Sequence, residues 1–256
     1  MVIRIDLPTV TLCAAASVNV DATIEALSTC LKQIEFGECL LFTDRVVRPL
    51  HPAIRVVPIS ALKSTKDYSD FLLYRLGDHL RTEHCLIVQW DGFVLDANLW
   101  DPTFLQFDYI GAPWPQFQDG HSVGNGGFSL RSRKLLTACR DPRFSGGHPE
   151  DVAICRTNRN FLEREFGISF ADRGTASRFS FERTDRIEPT FGFHGVFNLI
   201  KTSGADRFWQ IYGSLDDKHT AFVDYPLLMC QLGTGKDAFK RRLRLTLDRL
   251  GDLRRL

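Results

Sequence analysis

The sequence predicts an α/β protein with a mainly parallel central sheet and helices on both faces. Short apolar runs rich in β-branched residues alternate with segments whose apolar residues recur at helical spacing. Runs such as Cys85–Val88 are apolar throughout, as expected of strands covered on both faces. A chain of 256 residues is long enough to bury a sizeable core.

The first half of the chain supplies four predicted strands and two helices. The strands are expected at Val10–Ala16, Cys39–Thr43, Ile54–Val57 and Cys85–Val88. The helices are expected at Ala22–Gln33 and Asp67–Arg81, which both place leucines and other apolar residues on one face. This half is Rossmann-like but lacks the G-x-G-x-x-G fingerprint, so dinucleotide binding is not predicted.

The second half is richer in glycine and aromatic residues. Short strands and binding loops are expected over Asp108–Trp114 and Val123–Arg131, after a short helix or turn within Leu99–Phe107. Helices are predicted over Ser132–Cys139 and from Asp151 to about Phe166, followed by a strand at Ile168–Ala171. The polar segment Arg173–Pro189 is expected to order over a ligand.

Composition excludes several classes of protein. A formal net charge of +1 gives no reason to expect a nucleic-acid partner. The seven cysteines contain no C-x-x-C pair and lie mostly in apolar runs, which favours a reducing compartment over a disulfide framework. We also expect no signal peptide and no membrane-spanning stretch, and therefore a cytoplasmic protein.

Polar residues beside glycines or at the ends of elements are the candidates for chemistry. They are Gln89, Asp91, Asn125, Glu150, Asp151 and His194. Asp91 and His194 together would suit Mn²⁺ or Mg²⁺, with phosphate oxygens and water completing the shell. The alternatives are an Asp-Gly turn at Asp91, a structural hydrogen-bonded histidine, and two acidic residues that only complement a helix dipole.

Five motifs appear in order along the chain. They read QWDGFVLD, DYIGAPW, VGNGGFSLRSRKLL, PEDV and FGFHG. In this order they closely resemble a family of bacterial proteins related to glycosyltransferases of the GT-A fold. The resemblance is strong from about Ser60 to Gly195, weaker over the N-terminal strands and absent from the basic tail.

The resemblance implies a role for each matching residue. The GT-A Asp-any-Asp motif reads Gln89-Trp90-Asp91 here, so Asp91 stands at the metal-binding position and Gln89 replaces the first carboxylate. His194 resembles the late histidine that closes the metal shell. Asp151 resembles the catalytic base of the acidic pair that it forms with Glu150.

The remaining donor contacts are also implied by the resemblance. Ala15 and Ser17 lie where the nucleobase docks, and Lys66 or Lys63 is a candidate for neutralising the diphosphate. The loop that contains Asn125, Gly126 and Gly127 resembles the segment lining the donor sugar. The alternative is that it is a glycine-rich β-turn with a structural role only.

The implied activity is transfer of a sugar from a nucleotide-diphosphate sugar, with uridine diphosphate as the default, to a glycan or lipid-linked hydroxyl. Such transfer belongs to polysaccharide biosynthesis, and an inverting reaction with a Mn²⁺ or Mg²⁺ cofactor is expected, although retention stays open. The alternative is a catalytically silent sugar- or nucleotide-binding module, which the Gln89 substitution favours. A sugar-phosphate nucleotidyltransferase is disfavoured because no early glycine-rich loop with Arg and Lys is present.

The expected organisation is one domain followed by a basic tail. Residues 1–235 would form the domain, with its nucleotide-binding half at about 1–96 and its acceptor half at 97–235. Residues 236–256 hold eight Lys or Arg and three Asp, and Leu243, Leu247 and Leu250 mark one helical face. That face is expected to pack onto the domain; the alternative is peripheral contact with the anionic inner face of a membrane.

Overall fold

A computed structural model describes residues 4–49, 51–184, 189–233 and 235–254. The chain divides into two compact units, residues 1–194 and 195–256. The domain boundary expected after residue 235 falls within the second unit. Parts of two predicted segments, residues 185–188 of the polar segment and 255–256 of the tail, lie outside the described residues.

The first unit contains a six-stranded sheet. Its strands are β1 (Ile5–Ala15), β2 (Ile34–Thr43), β3 (Ile54–Pro58), β4 (His84–Val88), β5 (Tyr109–Ile110) and β6 (Phe128–Ser132). They lie in the order β3-β2-β1-β4-β6-β5. The first four are parallel, whereas β6 pairs antiparallel with both β4 and β5. The predicted α/β class with a mainly parallel sheet is therefore confirmed.

Helices and a small second sheet complete the first unit. The helices are α1 (Val20–Leu31), α2 (Thr65–Tyr74), α3 (Arg133–Ala138), α4 (Glu150–Val152), α5 (Arg159–Phe166) and α6 (Arg173–Phe179). Strands β7 (Ser180–Phe181) and β8 (Gly192–Phe193) pair in parallel. Ser132 caps α3 by accepting a hydrogen bond from Leu135 N, as its sequence position predicts.

Three predicted elements are shorter or interrupted. The helix expected through Arg81 ends at Tyr74 and continues as a 3₁₀ turn over Leu76–His79, a segment in which Gly77 weakens helix propensity. The helix expected from Asp151 to Phe166 is broken at Asn158, whose side chain donates to Ala153 O and Ser145 O. The predicted strand Ile168–Ala171 is reduced to a single bridge with β5.

The second unit is helical. It contains α7 (Val196–Ser214), α8 (His219–Phe222), α9 (Tyr225–Gln231) and α10 (Ala238–Leu253). Gly204 interrupts α7 with a positive φ of 82°, a conformation that glycine adopts readily. None of the described helices combines the length and the apolar composition that crossing a bilayer requires.

Candidate active site

The candidate site begins where β4 ends. β4 lies beside β1 in the sheet. The strand that follows β1 in the sequence lies toward one edge of the sheet, whereas the strands that follow β4 lie toward the other edge. The boundary between β1 and β4 is therefore the topological switch point. Ligands of open α/β sheets bind outside the carboxyl ends of the strands at such a point. Cys13 of β1 pairs with Ile87 of β4, so Ala15 and Gln89 follow at the same edge.

His194, directly after β8, lies between the residues that follow β4 and the glycine-rich loop. Its Nε2 is 3.1 Å from Gln89 Oε1 and 3.4 Å from Asp91 Oδ1. Its Nδ1 is 3.1 Å from Asn125 Nδ2 and 3.3 Å from Glu182 Oε1. The structure thus brings together Gln89, Asp91, Asn125 and His194, four residues that the sequence singled out.

The charge of His194 is set by its two carboxylate neighbours. Burial lowers the pKa of this imidazole, but Asp91 and Glu182 outweigh burial and raise the pKa to about 10. The same contacts lower the pKa of Glu182, although its burial opposes this shift. His194 is therefore protonated at neutral pH and places one positive charge between the two carboxylates.

The orientation of Gln89 is fixed by its other end. Its Nε2 donates a 2.8 Å hydrogen bond to Tyr68 OH, so Oε1 points toward His194 Nε2. Asp91 is buried, and within the described part of the chain its Oδ1 has no hydrogen-bond partner. A buried carboxylate oxygen in this state is costly unless a cation or a donor reaches it.

Three side chains of the cluster offer donors of the kind that a divalent cation takes. Among the described residues, no group of three or more His, Cys, Asp or Glu is placed to hold a metal ion. The available donors are instead one carboxylate oxygen of Asp91, Nε2 of His194 and the amide oxygen of Gln89. Glu182 on the opposite ring nitrogen is the kind of partner that orients a metal-binding histidine. Asp91 Oδ1, which is buried without a hydrogen bond and has His194 3.4 Å away, is the observation that favours such an ion.

The glycines of the predicted donor loop allow protein side chains to approach its backbone. A Cβ added to Gly127 would lie 2.1 Å from His194 Nε2, and one added to Gly126 would lie 2.3 Å from Glu150 Oε1. Asn125 adopts a left-handed φ of 61°, which lets its Oδ1 accept from Phe128 N at 3.4 Å. Close packing within the protein therefore accounts for the small residues on these faces of the loop.

Asp151 lies on the other side of this loop. Its Oδ2 accepts a 2.9 Å hydrogen bond from Gly126 N, and its Oδ1 accepts one of 2.8 Å from Val152 N. Burial, and then the neighbouring charge of Glu150, raise the pKa of Asp151 to about 6. The residue as a whole is half-buried, and its pKa lies near neutrality.

Glu150 has a different environment from its neighbour. It is buried, its Oε1 accepts from Arg131 Nη2 at 2.9 Å, and its Oε2 accepts from Ser69 Oγ at 3.2 Å. Both of its oxygens are therefore engaged by protein groups. This arrangement suits a residue that holds the site in place better than one that touches a substrate.

Arg131 and Glu182 were not singled out by the sequence analysis. Arg131 is fully buried and donates from Nε to Ser129 Oγ at 3.1 Å and from Nη2 to Gly126 O at 3.4 Å. For Arg131 the available signal was an arginine inside the short predicted strand segment, which reads FSLRS. Glu182 falls in the polar segment expected to order over a ligand, but nothing in that segment distinguished it.

The other residues that were predicted to contact the nucleotide sugar lie apart from this cluster or bind other parts of the protein. Lys66 is exposed and pairs with Asp70, and Lys63 is also exposed. Ser17 accepts from Leu62 N at 2.8 Å and so holds the loop that, with α2, lines a cavity of about 610 Å³. Ala15 is buried at the end of β1, whereas Trp90 is half-buried.

The fold and the cluster define an α/β protein with a carboxylate- and histidine-lined site at the switch point of its sheet. Residues 52–194 match the family DUF5672, described as a protein of unknown function. This match spans more than half of the chain, which belongs to that family. Comparison with curated proteins finds no significant match.

Solved structures similar to this chain include two glycosyltransferases. The mannosyltransferase PcManGT from Pyrobaculum calidifontis, in complex with GDP-Man and Mn²⁺, is 12% identical with a TM-score of 0.45, and the alignment covers 94% of this chain and 70% of that chain. The apo form of GlyE from Streptococcus pneumoniae TIGR4 is 13% identical with a TM-score of 0.44. This alignment covers 81% of this chain and 60% of GlyE.

Proposed function

We propose that the protein is a GT-A-fold glycosyltransferase that moves a sugar from a nucleotide-diphosphate sugar to an acceptor hydroxyl. One observation carries the proposal. Asp91 and Asp151, two carboxylates in different environments, are linked through contacts with consecutive residues of the glycine-rich loop. Asp91 contacts His194, which reaches Asn125, and Gly126 N donates to Asp151. The five-motif resemblance supports the same activity.

The Asp91 side of the cluster is the proposed donor end. Asp91, His194 and the amide oxygen of Gln89 would hold Mn²⁺ or Mg²⁺, which would stabilise negative charge on the leaving diphosphate. In the absence of an ion, protonated His194 supplies one positive charge to the same edge of the sheet. Uridine diphosphate is the default donor nucleotide, by analogy with GT-A relatives alone.

The Asp151 side is the proposed acceptor end. A carboxylate whose pKa is about 6 is largely ionised at neutral pH yet basic enough to accept the proton of an attacking hydroxyl. Its two backbone hydrogen bonds fix its position, and the buried Arg131–Glu150 pair fixes the residue before it. A base in this role gives inversion at the anomeric carbon; a retaining reaction would leave Asp151 to orient the acceptor sugar.

The second candidate function is a silent nucleotide- or sugar-binding module. Its supporting observation is that a neutral amide, Gln89, stands beside His194 where a second carboxylate is expected. Such a module would bind the donor without breaking the bond between sugar and phosphate.

Hydrolysis of a panel of nucleotide sugars separates these two functions. The wild type should release the nucleoside diphosphate from at least one donor, and Asp151→Asn should reduce this release by about 100-fold or more. Asp141→Asn, which changes a half-buried aspartate that pairs with Arg143, is the matched control. Binding of a donor without any turnover would favour the silent module, and equal turnover in Asp151→Asn would remove the base assignment.

A further inference from the structure

Helix α10 presents an exposed apolar face. Five residues spaced by three or four positions share one side of this helix. They are Phe239, Leu243, Leu247, Leu250 and Leu253, with exposed fractions of 79%, 48%, 55%, 49% and 56%. The leucines at 243, 247 and 250, which were expected to pack onto the domain, are each about half exposed.

The opposite side of α10 anchors it within the second unit. Leu245 is fully buried, and Asp248 Oδ2 accepts from Tyr212 OH at 3.0 Å and from Lys218 Nζ at 3.1 Å. Asp252 pairs with His219 at 2.8 Å. Arg242 Nε also donates to Met229 O at 2.7 Å, and Thr246 Oγ1 lies 2.7 Å from Tyr225 OH. The helix is therefore held by Leu245 together with polar side chains.

Positive charge flanks the apolar face. Helical spacing places Lys240 and Arg244 along one edge, and Arg242 and Arg249 along the other. From Lys236 to Arg254 there are seven Lys or Arg against three Asp. Asp248 pairs with Lys218 and also with Arg244 of the same helix, and Asp252 pairs with His219. The segment nevertheless keeps an excess of positive charge.

We propose that the apolar face of α10 docks on an anionic membrane surface, with the helix lying in the plane of the lipid headgroups. Apolar side chains would enter the acyl boundary while the flanking lysines and arginines contact anionic headgroups. A second copy of the chain is a poorer occupant, because a two-fold contact would bring the same basic edges together. This inference does not depend on the proposed function.

Vesicle flotation tests the inference directly. The full chain should float with vesicles of phosphatidylcholine containing about one-third phosphatidylglycerol, and it should not float with phosphatidylcholine alone. The double substitution Leu243→Glu/Leu247→Glu should weaken binding on the order of 100-fold, at about tenfold for each leucine. Lys240→Glu should weaken it about tenfold or more, and high salt should release the wild type.

Val46→Glu is the matched control, because Val46 is a fully exposed apolar residue in the other compact unit. It should float like the wild type. Since all of the substituted side chains are exposed, circular dichroism and thermal melting should be unchanged in each variant. The inference is overturned if the intact protein does not float at low salt, or if the leucine variant floats equally well. It is also overturned if the leucines prove to hold a soluble dimer, measured by analytical ultracentrifugation.

Discussion

Arg131 Nη2 lies 2.9 Å from Glu150 Oε1, and the side chains of both residues are buried. Glu150 directly precedes Asp151, and Arg131 also donates to the backbone oxygen of Gly126, whose own N–H binds Asp151. One buried ion pair therefore fixes both segments that position the proposed base.

Breaking this pair should destabilise the fold. Glu150→Ala leaves the Arg131 guanidinium buried without its carboxylate, and the free energy of unfolding should fall by about 3–5 kcal/mol in urea titrations. Glu165→Ala is the control, since its pair with Arg143 is exposed, and it should cost about 0–1 kcal/mol. Equal, small losses in both variants would show that the buried pair does not hold the site.

The pKa of Asp151 predicts a pH-dependent stability. A carboxyl whose pKa is about 6 in the folded state and about 4 when unfolded binds more protons when folded, so its contribution to stability falls as pH rises between these values. Asp151→Asn lacks this titration. From pH 4 to pH 7 the free energy of unfolding of the variant should rise relative to that of the wild type by roughly 1–3 kcal/mol. Urea unfolding at each pH measures this difference. Parallel pH profiles for the two proteins would contradict the raised pKa.

Gly127 should be required for the donor end. The Cβ of Gly127→Ala would lie 2.1 Å from His194 Nε2 and must displace the ring from Gln89 and Asp91. We expect thermal stabilisation by Mn²⁺ with nucleoside diphosphate to disappear in this variant. Gly147→Ala is the control, because nothing lies within 4 Å of the added Cβ. A full ligand response in Gly127→Ala would place the donor elsewhere.

Glu182 should control the ionisation of His194. In Glu182→Gln one of the two neighbouring carboxylates becomes neutral, so the pKa of His194 should fall. The titration of the histidine Cε1 protons by NMR measures this change. Glu163→Gln, a change near a different cation, should leave the His194 signal unaltered. An unchanged titration in Glu182→Gln would mean that this carboxylate does not govern His194.

The alternation of strands and helices predicted the parallel part of the sheet, and the end of the strand Cys85–Val88 predicted where Gln89 and Asp91 would emerge. Asp91 and His194 lie 3.4 Å apart, although they are 103 positions apart in the sequence. The expectation that they act together came from the chemistry of the two side chains and from the ordered motifs, because periodicity alone does not pair distant residues.

Other features depend on tertiary contacts that no local pattern reports. Arg131 is buried with Ser129 and Glu150 as partners of its Nε and Nη2, and the sequence does not show which strand residue has such partners. The spacing of leucines predicted that α10 has an apolar face, but not whether that face is buried or exposed. Contacts of Asp248 with Tyr212 and Lys218 decide which side of the helix is anchored.

The central claim is that Asp91 and His194 form the nucleotide-sugar end of an active site. Thermal stability measured against a panel of nucleoside diphosphates, with and without Mn²⁺, tests it most directly. At least one diphosphate with Mn²⁺ should stabilise the wild type in proportion to the logarithm of ligand concentration above its Kd. Asp91→Ala should lose that response, and Asp101→Ala, a change at a partly exposed aspartate, should keep it. Identical responses of the wild type and Asp91→Ala across the whole panel would contradict the account.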